Sequence, residues 1–157
     1  SKERYEKEFD NNGKKSYQNY LERNIIEKKL LELDSKLTQK TKVAVITGYG
    51  SQKYILQTMV KQHSYKNLEI DVDTVDAFQW SQKDIILYST VRSSANKYGI
   101  GFLKSEARIN VAFSRARCLL IIVGDMNFLD NYRIRGNKFP EIIKYIKESE
   151  GCRIIEE

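Results

Sequence analysis

A segment with helical spacing leads directly into an unbroken apolar run in the stretch 105–125, SEARINVAFSRARCLLIIVGD. Ser105 can cap the helix, and residues 119–123 have the continuous apolar pattern of a strand that is buried on both faces. Such strands occur almost only in parallel sheets that helices cover on both sides. This stretch therefore predicts a layered α/β fold.

The rest of the chain repeats this alternation of helices and strands. A capping box of Asn19 and Glu22 opens an amphipathic helix predicted over 19–36. Ser51 is expected to cap a second helix, and Pro140 to begin a last helix that runs through Lys147. Strands are predicted at 43–47, 69–75, 85–91 and 119–123, with a final edge strand at 152–155. The order of these elements indicates a largely parallel sheet, whose ligands bind at the carboxyl ends of its strands.

With 157 residues, the chain is expected to form one domain at 16–157, preceded by a lead-in segment at 1–15 that contains a turn signal. No apolar run reaches the ~20 residues that span a bilayer, and no signal segment opens the chain. We therefore expect an intracellular, cytoplasmic protein without membrane contact. Cys118 and Cys152 are interpreted as buried free thiols, and His63 as a histidine at a helix end or on the surface.

The net charge of +6 is concentrated in one stretch. Residues 92–117 contain six basic residues against Glu106 alone. Arg108 and Arg115 are seven residues apart, so on one helix they would project within about 20° of each other and form a fork for phosphate oxygens. A solvated basic face with surface salt bridges remains the alternative. The chain has no Gly-x-x-x-x-Gly-Lys-Ser/Thr loop, so these arginines suit a finger inserted into the phosphate site of another domain.

The sequence gives little support for a metal site or for nucleophilic catalysis. Asp71, Asp73 and Asp76 are spaced D-x-D-x-x-D, but strand alternation places the first two on one face, where we expect them to be solvated. No metal site is predicted. The single histidine leaves no Ser-His-Asp or Cys-His arrangement for nucleophilic catalysis.

Five stretches, in the right order, resemble the second RecA-like motor domain of superfamily 1 helicases, in the group that includes the nonsense-mediated decay RNA helicase and related DNA helicases. They are SYQNYLE at 16–22 (family S-x-x-N-x-x-E-A), VITGYGSQ at 45–52 (I-T-P-Y-x-x-Q), TVDAFQWSQKD at 74–84 (T-V-D-x-F-Q-G-x-E-K-D), VRS at 91–93 with GIGFL at 99–103 (V-R-S, then G-F-L), and RINVAFSRA at 108–116 (R-L-N-V-A-L-T-R-A). The resemblance implies a three-layer RecA-like fold that lacks its own P-loop.

The resemblance also implies roles. ATP and Mg²⁺ would be bound mainly by an N-terminal RecA-like domain, and Arg115 would be the catalytic arginine finger. Gln82 matches a ribose contact, and Arg92 and Arg108 would be supporting cations, either to the ATP phosphates or to neighbouring carboxylates. Single-stranded DNA or RNA would be contacted by Thr47, Tyr49 and Thr74, mainly through its phosphate backbone. Gln52 is expected to brace its loop.

Two functions follow from these motifs. In the first, the chain is the C-terminal motor half of an ATP-dependent helicase, inactive as an isolated fragment. The second is a degenerate domain that binds nucleic acid or protein without hydrolysing ATP, because Trp80 and Gln82 replace a glycine and a glutamate of the family pattern. Gly48 also stands where the family has proline. An unrelated α/β binding module is a third reading, and it requires all five matches to be coincidental.

Overall fold

The computed structural model describes residues 6–11, 14–78, 81–94 and 100–156. Its centre is a four-stranded parallel sheet with the strand order β4-β3-β5-β6. The strands are β3 (Thr41–Thr47), β4 (Leu68–Thr74), β5 (Lys83–Ser89) and β6 (Ala116–Val123). β3, β5 and β6 were predicted from apolar runs and β4 from an alternating pattern, and the predicted parallel α/β sheet is confirmed. The expectation that residues 119–123 are buried on both faces was wrong, because β6 is an edge strand in which Leu119 is exposed and only Val123 is buried.

Helices cover both faces of this sheet. They are α1 (Tyr20–Lys36), α2 (Gly50–Lys61), α3 (Glu106–Phe113), α4 (Met126–Leu129) and α5 (Phe139–Glu148), with a 3-10 helical turn at Gly101–Lys104. Alternate residues of β3 point to opposite faces: Val43 and Val45 pack with α1 and α2, whereas Ala44 and Ile46 pack with α3, α4 and α5. The fold therefore has three layers, as expected for a RecA-like domain.

The predicted helix caps are partly correct. The Asn19 side chain accepts from the backbone N–H of Glu22, and Ser105 accepts from that of Arg108, so both caps are confirmed. Ser51 was wrong as a cap, because α2 already begins at Gly50 with Tyr49 in the capping position. The backbone N–H of Ser51 instead donates to Ser16 Oγ at 3.1 Å.

The predictions for the two ends of the chain have different outcomes. β1 (Glu6–Asn11) lies in the predicted lead-in at 1–15 and pairs antiparallel with β2 (Lys14–Asn19), which begins there and extends beyond it. The turn residues 12–13 lie outside the described residues. The predicted strand at 152–155 was wrong: these residues form no regular structure and are exposed beyond Gly151, whose φ is +79°. None of the helices formed by the described residues has the length and apolar character that crossing a membrane requires.

The cysteine prediction was also wrong, because Cys118 and Cys152 are both exposed. Cys118 lies near the start of β6, which is an edge strand, and Cys152 lies in the irregular C-terminal segment. His63 lies just after α2, half-buried, with Nε2 2.6 Å from Glu27 Oε1. The expectation of a histidine at a helix end is confirmed.

Candidate functional site

The predicted site residues separate into two groups at opposite ends of the parallel strands. Helix α3 connects the two ends. Near its start, Arg108 pairs with Asp76 just beyond the carboxyl end of β4, and after its end the Arg115 carbonyl accepts from the N–H of Lys83 at 3.0 Å, where β5 begins. The seven residues of β5 rise ~3.3 Å each, so the two groups are about 20 Å apart.

Arg115 and Gln82 lie at the amino end of the sheet. Arg115 is half-buried, and its Nε is buried without a hydrogen-bond partner among the described residues. Gln82 is exposed and its Oε1 accepts from Arg117 Nε at 3.4 Å, while Arg117 also lies 3.9 Å from an Asp84 oxygen. A buried N–H that lacks an acceptor costs about 1–3 kcal/mol, so a movement of the Arg115 side chain that brings this donor to an acceptor outside the domain would relieve that cost.

The predicted helical fork of Arg108 and Arg115 was wrong. Helix α3 ends at Phe113 with Ser114 as its C-cap, and residue 115 is part of a turn. After this turn, the Arg115 carbonyl accepts from the N–H of Lys83, and the next residue, Ala116, begins β6. Of the two arginines, only Arg115 lies at the amino end of the sheet.

Three residues predicted to contact nucleic acid lie at the carboxyl end of the sheet. Thr47 and Thr74 are partners in the register of β3 and β4. Thr47 is fully buried, and its Oγ1 has no hydrogen-bond partner among the described residues. Thr74 is half-buried. The structure thus brings the two threonines together as neighbouring strand ends.

Tyr49, the third of these residues, is engaged within the protein. It is 8% exposed, its ring meets the ring of Tyr17 edge-on at 5.4 Å, and its hydroxyl accepts from the Phe102 N–H at 3.3 Å. Burial raises the pKa of the Tyr49 hydroxyl, an effect that a hydrogen bond from Arg92 opposes. The Tyr49 ring therefore lies beneath the protein surface at this end of the sheet, packed against the Tyr17 ring.

Arg92 and Arg108 also lie at the carboxyl end, and both have protein partners. Arg92 is 2% exposed, stacks 4.3 Å from the centre of the Tyr17 ring and donates to the Ser94 carbonyl at 2.7 Å. Arg108 binds Asp76 through two nitrogens, at 2.8 and 3.2 Å, and lies 4.1 Å from the centre of the Phe102 ring. For Arg108 the structure shows the neighbouring carboxylate that was one of its two expected partners.

A buried polar network, which the sequence did not reveal as a unit, joins α1, α2 and the end of β5. The Glu22 carboxylate accepts from Ser89 Oγ at 2.6 Å, from the Val91 N–H at 2.9 Å and from Thr90 Oγ1 at 3.2 Å. Burial raises the Glu22 pKa from 4.5 to about 7, against the opposing effect of these hydrogen bonds. Val91 adopts a φ of +68°, a conformation that a β-branched residue rarely takes.

Gln52 completes this network. Its Oε1 accepts from the Asn19 N–H at 2.8 Å, and its Nε2 donates to the Asn19 carbonyl and to Ser89 Oγ, each at 3.1 Å. Gln52, which was expected to brace its loop, thus joins α2 to Asn19 before α1 and to Ser89 at the end of β5. Glu22, which we assigned only to a capping box, also anchors the segment after β5. The sequence signal was the S-x-x-N-x-x-E pattern at 16–22.

The remaining predicted residues are the aspartates of the D-x-D-x-x-D run and two further motif residues. Asp71 pairs with Lys83, and Asp73 pairs with Lys53 at 3.2 Å. In the described part of the chain, no group of three His, Cys, Asp or Glu side chains could hold a metal ion. Trp80 and Gly99, which belong to the predicted motifs, lie outside the described residues.

Comparison with known proteins identifies what the chain is similar to. A family model described as an AAA domain matches residues 2–127. Helicase sen1 of Schizosaccharomyces pombe is 43% identical over 98 residues, which are 61% of this chain and 6% of that protein. A regulator of nonsense transcripts 1 homolog of Neurospora crassa is 38% identical over 125 residues, 76% of this chain and 11% of that protein. An uncharacterised ATP-dependent helicase of Methanocaldococcus jannaschii is 37% identical over 123 residues, 78% of this chain and 17% of that protein. The chain thus spans between 6% and 17% of these relatives.

Proposed function

The chain belongs to the superfamily 1 helicases, as a C-terminal domain of the group that contains helicase sen1 and regulator of nonsense transcripts 1, and we propose that it supplies one half of an ATP-driven nucleic-acid motor. ATP would bind between this domain and an N-terminal RecA-like domain of the same protein. That domain would hold most of the ATP and the Mg²⁺, since this chain has no P-loop.

The amino end of the sheet would face the ATP. The observation that supports this most directly is the buried, unpartnered Nε of Arg115 beside the exposed Gln82. An arginine presented in this way can donate to the γ-phosphate oxygens as negative charge develops on them during phosphoryl transfer. The Gln82 carboxamide can hydrogen-bond a ribose hydroxyl without carrying a charge. Arg92 and Arg108 lie about 20 Å away at the other end of the sheet, so they would not contact this ATP. Arg108 would instead serve the neighbouring Asp76 carboxylate, the other of its two expected partners.

The carboxyl end of the sheet would carry single-stranded DNA or RNA. Thr47 and Thr74 are neighbours there, and Thr74 is the more exposed of the two. The unpartnered hydroxyl of Thr47 is fully buried, so it would donate to a phosphate oxygen only after a movement of this surface exposes it. Tyr49 would position this surface rather than stack on a base, because its ring is buried against Tyr17. Closure of the cleft around ATP would move this path relative to the N-terminal domain, which is how hydrolysis could advance the strand.

The test is the nucleic-acid-stimulated ATPase activity of the full-length protein. Arg115→Ala should lower kcat by about 10³-fold or more, as expected for an arginine finger. Arg153→Ala removes a charge from the exposed C-terminal segment and serves as the matched control. Unchanged turnover in Arg115→Ala would refute the finger assignment. The isolated chain should hydrolyse no ATP.

The second candidate is a domain that no longer hydrolyses ATP and acts as a nucleic-acid or protein binding module. It is favoured by Gln82, which stands where the family motif has a glutamate, and by Trp80 in place of a glycine. Restoring both family residues with Trp80→Gly and Gln82→Glu in the full-length protein should then raise ATP turnover from near zero. Robust wild-type turnover would exclude this candidate.

A further inference from the structure

A second basic surface lies beyond the region that the family model matches, which ends at residue 127. Residues 131–138, NYRIRGNK, contain three basic residues and no acidic residue. We propose that this segment, the basic loop, binds single-stranded nucleic acid and extends the path that begins at Thr47 and Thr74. The proposal rests on the proposed function, because it takes nucleic acid at the carboxyl end of the sheet as its starting point.

The basic loop lies at the same end of the sheet as those threonines. It follows α4, and only two residues separate the carboxyl end of β6 from the first residue of α4. Lys138 Nζ is 3.3 Å from a carboxylate oxygen of Glu106, in the first turn of α3. The backbone of Gly136 lies against Lys104, so closely that a Cβ there would be 3.0 Å from that side chain. Because α3 begins at the carboxyl end of the sheet, the contact of Lys138 with Glu106 places the basic loop at this same end, next to β6.

The conformation of the basic loop is fixed by the protein itself. Asn137 Nδ2 donates to the carbonyls of Leu129 and Asn131, at 2.7 and 3.1 Å. Ile134 is half-buried and packs against the core that α3, α4 and α5 share. Gly136 takes a φ of +77°, which favours glycine. A loop held in this way would lose little conformational entropy when a ligand binds.

The side chains that flank the Ile134 anchor point outward. Arg133 and Arg135 are exposed, and within the described ranges neither has a carboxylate at salt-bridge distance. The nearby Lys138 and Lys147 differ, because they pair with Glu106 and Asp130.

Beside these arginines, Tyr132 is 70% exposed. Guanidinium groups bind phosphate oxygens through paired hydrogen bonds, and an exposed aromatic ring is a platform on which a base can stack. This combination favours a single strand over an acidic protein segment, which would use the arginines but leave the ring without a stacking partner.

The spacing of the strands suits a continuous path. Neighbouring strands are ~4.8 Å apart, so about 14 Å separates the end of β4 from the end of β6. A single strand that lies across Thr74 and Thr47 would reach the basic loop after crossing the ends of β5 and β6. Arg133 and Arg135 would then contact its phosphates and Tyr132 one of its bases.

The test measures binding of a fluorescein-labelled oligothymidylate to the full-length protein by anisotropy, at several salt concentrations. The double variant R133A/R135A should bind about tenfold or more weakly at moderate salt, since each arginine would lose a charge-assisted hydrogen bond. It should also make the slope of log K against log salt less negative by about 1.4, because each phosphate contact on a single strand contributes ~0.7. Tyr132→Ala should weaken binding about fivefold or more, and Tyr132→Phe should not.

The matched control is K40A/K66A, which removes the same charge from two exposed lysines at the amino end of β3 and β4. It should leave affinity and slope close to wild type. A wild-type protein that binds, with R133A/R135A equal to this control, would overturn the role of the basic loop and leave the proposed function intact. The same holds if R133A/R135A weakens binding without changing the slope, since the loss would not come from phosphate contacts. A wild-type protein that binds no oligonucleotide would overturn both proposals.

Discussion

The buried carboxyl group of Glu22 gives this fold a specific dependence of stability on pH. Glu22 is 3% exposed, and burial raises its pKa from 4.5 to about 7 in the folded chain. In the unfolded chain the pKa returns to its ordinary value. Between these two values the unfolded chain has released the proton and the folded chain still holds it, so stability falls as the pH rises. Below about pH 4.5 both states are protonated, and above about pH 7 the loss is complete.

The magnitude follows from the difference between the two pKa values. A pKa difference of one corresponds to about 1.4 kcal/mol, so the shift from 4.5 to about 7 amounts to about 3 kcal/mol in the free energy of unfolding. Most of this, about 2–3 kcal/mol, should appear between pH 5 and pH 8. This is a large part of the ~5–15 kcal/mol by which domains are usually stable.

The perturbation that isolates this effect is Glu22→Gln. Glutamine cannot titrate, and its carbonyl oxygen can still accept from Ser89 Oγ and the Val91 N–H. The free energy of unfolding of both proteins is measured by urea denaturation at pH 5 and pH 8. Other titrating groups are present in both proteins, so their contributions to the pH dependence cancel in the difference. Asp34 is one of them, and backbone hydrogen bonds lower the pKa of its carboxyl group. The wild type should lose about 2–3 kcal/mol relative to the variant between the two pH values.

Two results would refute this reasoning. If the difference between the wild type and Glu22→Gln is the same at pH 5 and pH 8, Glu22 does not hold a proton in the folded chain at pH 5 to 7. If the wild type instead gains stability relative to the variant as the pH rises, its hydrogen bonds outweigh burial and the folded pKa lies below 4.5. Glu22→Ala serves as the reference for loss of the network, because it leaves the Val91 N–H without an acceptor at a cost of about 1–3 kcal/mol.

The remaining predictions concern the carboxyl end of the sheet. Thr47→Val removes a buried hydroxyl without a partner among the described residues, so it should raise the free energy of unfolding by about 1 kcal/mol. The same change should weaken oligonucleotide binding about tenfold. Unchanged binding would count against Thr47 as a phosphate contact. Gly124→Ala places a Cβ 2.3 Å from Thr90 Oγ1 and 2.7 Å from Leu129 Cδ1 and should cost about 1–3 kcal/mol in urea denaturation. Gly50→Ala, with open space around the new Cβ in the first turn of α2, should instead stabilise by up to about 1 kcal/mol; equal effects at the two glycines would contradict the packing described for Gly124.

Local signals in the sequence were sufficient for most of the fold. The apolar runs that became β3 and β5 could be recognised because strands covered on both faces need apolar residues at consecutive positions. The run that became β6 has the same pattern, although β6 is an edge strand in which Leu119 is exposed and only Val123 is buried. Asn19 and Ser105 were recognisable as caps because a capping side chain bonds within its own helical turn. The one cap that was predicted wrongly, at Ser51, depends on Ser16, 35 residues away.

Long-range contacts explain what the sequence did not reveal about the site. The helical pattern continues through Arg115, but α3 ends at Phe113, and the Arg115 carbonyl accepts from the Lys83 N–H in another strand. The partners of Glu22 are 67 to 69 residues away, so nothing in the residues around Glu22 indicates that it would be buried and hydrogen-bonded there. Residue identities therefore supplied the candidate side chains, whereas the division of the site between the two ends of the sheet required the structure.

The central claim is that Arg115 completes an ATP site from the second domain of the motor. A structure of the full-length protein with an ATP transition-state analogue, such as ADP with aluminium fluoride, tests this directly. We predict that the Arg115 guanidinium lies within hydrogen-bond distance, about 3 Å, of the group that mimics the γ-phosphate. An analogue bound between the domains with Arg115 still turned inward, and its Nε without a partner, would contradict the account.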